Sequence, residues 1–385
     1  VTPGLRNPNP RIGMDWDRRS SFEAKDGKYR VSQTEDAIAH VVRIEADGYK
    51  VAVSRDIKSD EGRIEINFEL EPAEDISSII QSADGVPAAG AKVALGVAGS
   101  QINIKNGDID DGGTYAKRVD ADAKGFFSIP SREEAFQVVI THPKGFAHIK
   151  SPEEPIGKFI TLTPWARVEG TFQVGKVPTP NILLESYSNG LHSYGDDVPN
   201  IFTHDRTTTG KGGRYVFPRM FPGQGRIGRS ITLMVDDGST EVTSSIRQAT
   251  MFVSGKTTTL NLGGTGRPVT GKLAPPADYK QKVLWNFAII NAEVDLRRPE
   301  PEEAPADVRD DPVARRGWWE AWKTTEQGKA WQISYQEYER IRSEAPYVTA
   351  TVDRDGSFHI DDVPPGRYRL SVRFSSGRNR VSPGS

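Results

Sequence analysis

Outside a tryptophan-rich segment, aromatic and ionisable side chains are most densely mixed in one stretch: Tyr187, His192, Tyr194, Asp196, Asp197, His204 and Asp205. Aromatic faces stack on the CH groups of a sugar, and carboxylates take its hydroxyls, so these types together fit a carbohydrate. Tyr187, His192, Tyr194, Asp196 and His204 are the candidate ligand-binding residues. The two histidines with an Asp would also suit a transition metal, but their twelve-residue separation carries no ligand-spacing signal.

A second concentration is Trp318, Trp319, Trp322 and Trp331, with Tyr335 and Tyr338. Trp318 and Trp322 share a helix face, and Trp319 is rotated by about 100°. Trp318, Trp322 and Trp331 are read as the face that docks helices onto a β-domain, with a partner domain or a sugar as the other uses of such a face.

Other phrases reduce to structure. Gly223-Gln224-Gly225-Arg226-Ile227-Gly228 matches a dinucleotide fingerprint, but a β-run follows where a helix is required, so the glycines are read as a loop. Gly266 to Lys272 begins like a phosphate loop, yet Leu273 stands where a hydroxyl must meet Mg²⁺. Asp108-Ile109-Asp110-Asp111-Gly112 and Asp120-Ala121-Asp122-Ala123-Lys124-Gly125 offer carboxylates to calcium, but neither continues to a closing Glu, and Asp with Gly is ordinary turn chemistry. Asp361 and Asp362 are adjacent on a strand and point to opposite faces, so they are no acid–base pair. No catalytic residue, no metal and no cofactor is assigned.

The elements that would carry these groups are β-strands. The chain has 385 residues, 37 Gly, 26 Pro, no Cys, six His and a formal net charge of −2. Its mean hydropathy is −0.54. That balance points to a turn-rich β protein. It excludes disulfides and thiolate chemistry within these residues and shows no basic footprint for nucleic acid. No apolar run is long enough for a membrane-spanning helix. The chain opens at Val1, which leads us to expect a fragment or a processed form.

One turn phrase recurs: Asp26-Gly27-Lys28-Tyr29, Lys124-Gly125-Phe126-Phe127, Gly213-Arg214-Tyr215 and Asp355-Gly356-Ser357-Phe358. Each has a partner turn 20–25 residues later, at Gly48, Gly145, Gly238 and Gly377. The rhythm predicts four β-modules: 1–73, lacking an opening strand; 74–163; 164–263; and 264–385, lacking a closing strand. Expected strands include Tyr29–Val31, Ile64–Leu70, Ile76–Ile80, Phe136–Ile140, Val168–Val174 and Tyr368–Phe374. The last module is longer by about the length of its helical stretch, which is read as an insertion over 299–345, with a capping box at Ser334-Tyr335-Gln336-Glu337 starting its second helix. Short links between modules predict a jointed rod.

Asp355-Gly356-Ser357-Phe358-His359-Ile360 followed by Val363-Pro364-Pro365-Gly366-Arg367-Tyr368-Arg369-Leu370 resembles the C-terminal half of a carboxypeptidase regulatory-like domain. Gly85-Val86-Pro87-Ala88-Ala89-Gly90-Ala91-Lys92-Val93 resembles that family's opening strands. The resemblance implies tandem transthyretin-like, Ig-like β-sandwiches of carbohydrate-binding-like fold, a mostly β chain with one Trp-rich helical insertion. It implies an extracytoplasmic bacterial protein, periplasmic or at the cell surface, acting as a non-catalytic spacer or adhesion module. Glycans or an adjacent domain of a longer protein are the implied partners. The alternatives are an accessory region of a larger enzyme, thioredoxin-like or peptidase, and a glycan-processing enzyme using the loop around Tyr194.

Overall fold

The computed structural model describes residues 1–6, 14–17, 20–33, 37–46, 48–73, 75–110, 116–130, 136–188, 191, 198–234 and 239–374. The fold is mostly β, in tandem sandwiches, with one Trp-rich helical insertion in the last of them. His192, Tyr194, Asp196, Asp197 and the turns at Gly238 and Gly377 lie outside the described residues.

At the N-terminus β1 (Thr2–Arg6), β2 (Met14–Trp16), β3 (His40–Ile44) and β4 (Ala52–Val53) form one sheet in the order β2-β1-β3-β4. Here two expectations fail. Tyr29–Val31 and Ile64–Leu70 make no ladder, although the second alternates cleanly. Alternation marks a half-buried segment, but a strand also needs an open neighbouring edge. Instead Tyr29 holds the segment directly: its hydroxyl donates to the Ile66 carbonyl at 2.7 Å, and its ring meets Phe68. An opening strand is present as β1.

The next sandwich contains β5 (Ile76–Gln81), β6 (Lys92–Val97), β7 (Gln101–Lys105), β8 (Asp108–Ile109), β9 (Lys117–Asp120), β10 (Phe126–Ile129), β11 (Phe136–His142), β12 (Gly145–Ser151) and β13 (Phe159–Thr161). The sheets β10-β5-β13 and β12-β11-β6-β9 enclose Ile80, Leu95, Phe127, Ile129, Val138 and Ile140. β7 and β8 leave this sandwich.

The third region runs β14 (Ala166–Val174), β15 (Val177–Pro178), β16 (Leu183–Ser188), β17 (Asn200–Thr208), β18 (Arg214–Met220), β19 (Gly223–Met234), β20 (Thr240–Phe252), β21 (Thr257–Thr259) and β22 (Leu262–Gly263). The Gly223–Gly228 phrase is not a loop: it is the first half of β19. Its glycines serve close approach, since a Cβ on Gly225 would collide with the Phe252 ring, and one on Gly228 would press on Ser245 and Arg247.

The last region has β23 (Arg267–Lys272), β24 (Ala288–Val294), α1 (Ala306–Arg309), α2 (Pro312–Trp322), α3 (Glu326–Glu344), β25 (Tyr347–Thr351), β26 (Ser357–Val363) and β27 (Tyr368–Phe374). The second long helix begins eight residues before Ser334. Thr325 caps it, accepting from Gly328 N at 3.0 Å, while Ser334 sits mid-helix and donates to the Ala330 carbonyl. A Ser-x-x-Glu phrase thus failed as a cap because the hydroxyl was used within an established helix.

The repeated glycines adopt positive φ in all four copies. In three of them a Cβ would also collide with a carbonyl at the opening strand: Ile80 for Gly125, Phe172 for Gly213 and Leu273 for Gly356. At Gly27 the same space is open. The turn therefore needs Gly for dihedral freedom everywhere and for packing only in the last three copies.

The regions are not beads. One nine-stranded sheet runs β27-β24-β25-β20-β19-β16-β17-β7-β8. It joins strands from the second, third and fourth regions. Residues of the third and fourth also share a single core, in which Phe172, Phe217, Ile227 and Phe252 pack with Ile290, Val348 and Ile360.

Candidate functional site

The outer face of this long sheet carries the chemistry. On β16, Tyr187 is 44% exposed and donates to Glu185 Oε1 at 3.1 Å. β16 pairs with β17 from Leu183–Thr208 to Ser186–Asp205, and Tyr187 and exposed His204 are the next residues beyond that last pair on the two strands. Of the ligand-binding residues expected from sequence, the structure therefore places Tyr187 and His204 on neighbouring strands, each one residue beyond the last ladder pair. Burial and Glu185 push the Tyr187 phenol above its usual range.

The row continues through residues that the sequence did not single out. Tyr187 stands opposite Arg226 on β19. On β20 comes Arg247, opposite Tyr347 on β25. Tyr347 faces Glu293 on β24, and Glu293 faces Arg369 on β27. Helix α3 lies over this half of the row with Tyr338, Glu339 and Arg342, leaving a cleft of about 190 Å³.

Charge in the cleft is unevenly compensated. Arg369 pairs with Asp295 at 3.1 Å and Arg342 with Glu339 at 3.4 Å. Arg226 and Arg247 join their ladders through the backbone, and among the described residues neither guanidinium has an ion pair or hydrogen bond. Arg247 lies over the Tyr347 ring, 4.3 Å from its centroid. Burial, and then the charge of Arg226, lower its pKa, while Tyr347, Tyr187 and then Glu293 pull it back. Two half-buried guanidiniums are thus held near one another, with Glu293 and Glu339 in the same cleft but paired to neither of them.

The backbone beside Arg247 is strained. The β19–β20 register slips between Ile227 and Arg229, and Ile246 adopts φ +48°. A β-branched residue rarely takes that conformation. The bulge re-aims the strand at this point. The isolated arginines gave no motif, because the cleft is assembled from β19, β20, β24, β25, β27 and α3.

Asp205 lies on the other face, 2% exposed, with its carboxyl pushed up to about 7 by burial. Backbone N–H groups of Asn106 and Gly107 and the charge of Arg219 oppose that shift. Its Oδ1 and the Oγ of Ser186 opposite it are both buried without a hydrogen-bond partner.

Trp318, Trp322 and Trp331 also come together. Trp322 stacks on Trp318 and Trp319, with centroids at 5.9 and 5.0 Å, and meets Trp331 at 5.7 Å. Trp331 stacks on Tyr335 at 5.0 Å. The indole N–H groups reach the proline-rich approach: Trp322 donates to Glu302 and Trp331 to the Pro299 carbonyl. These rings bind α2, α3 and the approach to one another, and buried Trp322 is not part of the shared sandwich core. Trp319, on a different helix face, joins the cluster because its ring meets both Trp322 and Trp331, at 5.0 and 5.2 Å.

Asp111 lies outside the described residues, while Asp108, Asp110, Asp122, Asp361 and Asp362, also considered for calcium or catalysis, are engaged by backbone and neighbours. Asp122 Oδ1 accepts from Lys124 N and Phe126 N at 2.8 and 2.9 Å, an Asx turn. Asp110 pairs with Lys105 and Asp108 with Lys92. Asp361 points outward to Arg229 and His359, whereas buried Asp362 accepts from Gly264 N and Gly266 N.

No family model matches the chain, and no curated protein matches it. Solved structures similar to parts of it include the minor pilin GBS52 of Streptococcus agalactiae, at 11% identity, 49% of this chain, 94% of that one and a TM-score of 0.26. A streptococcal ancillary pilin shares 11% identity over 58% of this chain and 75% of that one, at a TM-score of 0.22. The shaft pilin SpaA of Lactobacillus rhamnosus GG shares 8% identity over 49% and 96%, at 0.20. At such TM-scores the likeness carries no argument about arrangement or function.

Proposed function

We propose that this chain is a non-catalytic, rigid scaffold of an extracytoplasmic protein: four β-modules with boundaries near 73, 163 and 263, holding attached domains or surface ligands at a set distance. The observation that carries this reading is the nine-stranded sheet. A jointed rod bends at links; a sheet that crosses module boundaries resists bending by its ladder and by the cores on its faces. The Asp355–Leu370 phrase, a tight turn followed by β26 and then β27 in a different sheet, supports kinship with carboxypeptidase regulatory-like domains. Contact with glycans through Tyr187 and its neighbours, or with another domain through the tryptophan hairpin, belongs to the same proposal.

Because the chain has no Cys, nitroxide pairs can be placed at will. Val86→Cys with Tyr279→Cys, both exposed, reports across the second to fourth regions by pulsed electron–electron resonance. A single narrow distance peak is expected. A distribution spread over tens of ångströms would show flexible beads and end the scaffold reading.

A further inference from the structure

We propose that the cleft between α3 and the long sheet is a binding site for an acidic sugar, one anionic group on a hydroxyl-rich ring. Arg226 and Arg247 are the anchors. Like charges repel, and bringing two guanidiniums together out of bulk water without paired carboxylates is unfavourable unless something else compensates. An anion does so, and a planar carboxylate or a sulfate matches the fork of an arginine. Arg247 is pre-aimed: its cation rests on Tyr347, its strand is strained at Ile246, and among the described residues its guanidinium has no hydrogen-bond acceptor.

The remaining lining selects against other anions. Glu293 and Glu339 stand in the same cleft and repel a polyanion such as nucleic acid. They accept hydrogen bonds from neutral hydroxyls. Tyr338 adds an aromatic side chain of the kind that packs on sugar CH groups. The volume is below the ~300 Å³ at which drug-sized pockets begin, so one ring enters and the rest of a polysaccharide leaves along the sheet. The open direction along the row leads past Arg226 to Tyr187 and His204.

The test is calorimetric titration of the chain as it stands with a uronate oligosaccharide, a sulfated oligosaccharide, their neutral counterpart and inorganic sulfate. Binding of either acidic sugar, with little for the neutral one, is expected, and the two acidic arms identify the anion. Affinity should fall with added salt. Arg247→Gln should weaken binding about 10-fold or more. Arg342→Gln, on the exposed face of α3, should weaken it several-fold without touching the sheet, which keeps the test valid if the first variant misfolds. Equal affinity for the neutral sugar, no binding of either acidic sugar, inorganic sulfate binding as tightly as the sugars, or unchanged affinity in Arg342→Gln with Arg247→Gln would each overturn the proposal.

Discussion

Where β17 meets β7 the strands run parallel, in register from Asn200–Gln101 to His204–Lys105. Asn106 extends the contact, its side chain accepting from Arg206 N at 2.7 Å. Beneath lies an apolar cluster drawn from both sides: Ile102, Ile104 and Val139 with Trp165, Ile201 and Phe221. Phe146, Trp165 and Phe221 meet pairwise at 4.7–4.9 Å, and Trp165 also donates to the His142 carbonyl. Where β20 meets β25 the only ladder pair is Arg247–Tyr347, and the outer face there is the arginine cleft. Both junctions continue one sheet. The first is sealed by apolar contact and a long ladder; the second has its core on one face and an open polar row on the other. Sealing stiffens a joint, whereas leaving polar groups desolvated but unpaired prepares a surface for a ligand.

The sharpest way to break this contrast is at the sealed joint. Phe221→Ala removes a fully buried ring from the aromatic triad and should cost about 3–5 kcal/mol. Chemical denaturation would read that loss, and spin labels at Val86→Cys and Val177→Cys should lose their narrow distance. A cost below 1 kcal/mol with an unchanged distance would show that the ladder alone holds the joint.

Asp205 is the polar exception at the same joint. Its folded-state pKa, about 7, lies above the ordinary 3.8, so folding favours the protonated form. There is no penalty below about pH 4, it grows as pH rises toward 7, and it is complete above 7. Asp205→Asn should therefore leave stability unchanged near pH 4 and raise it at pH 8, by up to about 4 kcal/mol. Calorimetric melting at the two pH values checks this; destabilisation at pH 8 would mean that the carboxylate form is the native one.

The smallest effect is expected at the open joint. Arg247→Gln should change stability by no more than about 1 kcal/mol, because the guanidinium is desolvated without a carboxylate to repay it. A loss of 3 kcal/mol would make Arg247 a brace and equalise the two joints.

Much of the fold was legible. Alternation and glycine turns located β5, β11, β14 and β27, and the tryptophan spacing located the helices. Misreadings arose where a local pattern had a non-local use. Ile64–Leu70 alternates but finds no strand edge, Ser334 is preceded by helix, and Gly225 and Gly228 are strand glycines because Phe252 and Arg247 crowd them. The candidate site was legible only at its margin. Tyr187 and His204 announce themselves by type, while Arg226, Arg247, Glu293, Tyr347 and Arg369 are ordinary residues of ordinary strands.

The sequence by itself determined the repeated turns and many of the strands, since a positive-φ turn and a two-residue period are properties of a few adjacent residues. The absence of Cys likewise excluded thiol chemistry outright. Only the tertiary structure decided that strands far apart in the chain share one sheet and that five strands and a helix bring arginines to one cleft. Which strand edges meet depends on what each has left unpaired and undesolvated, and that is settled among residues a hundred or more positions apart.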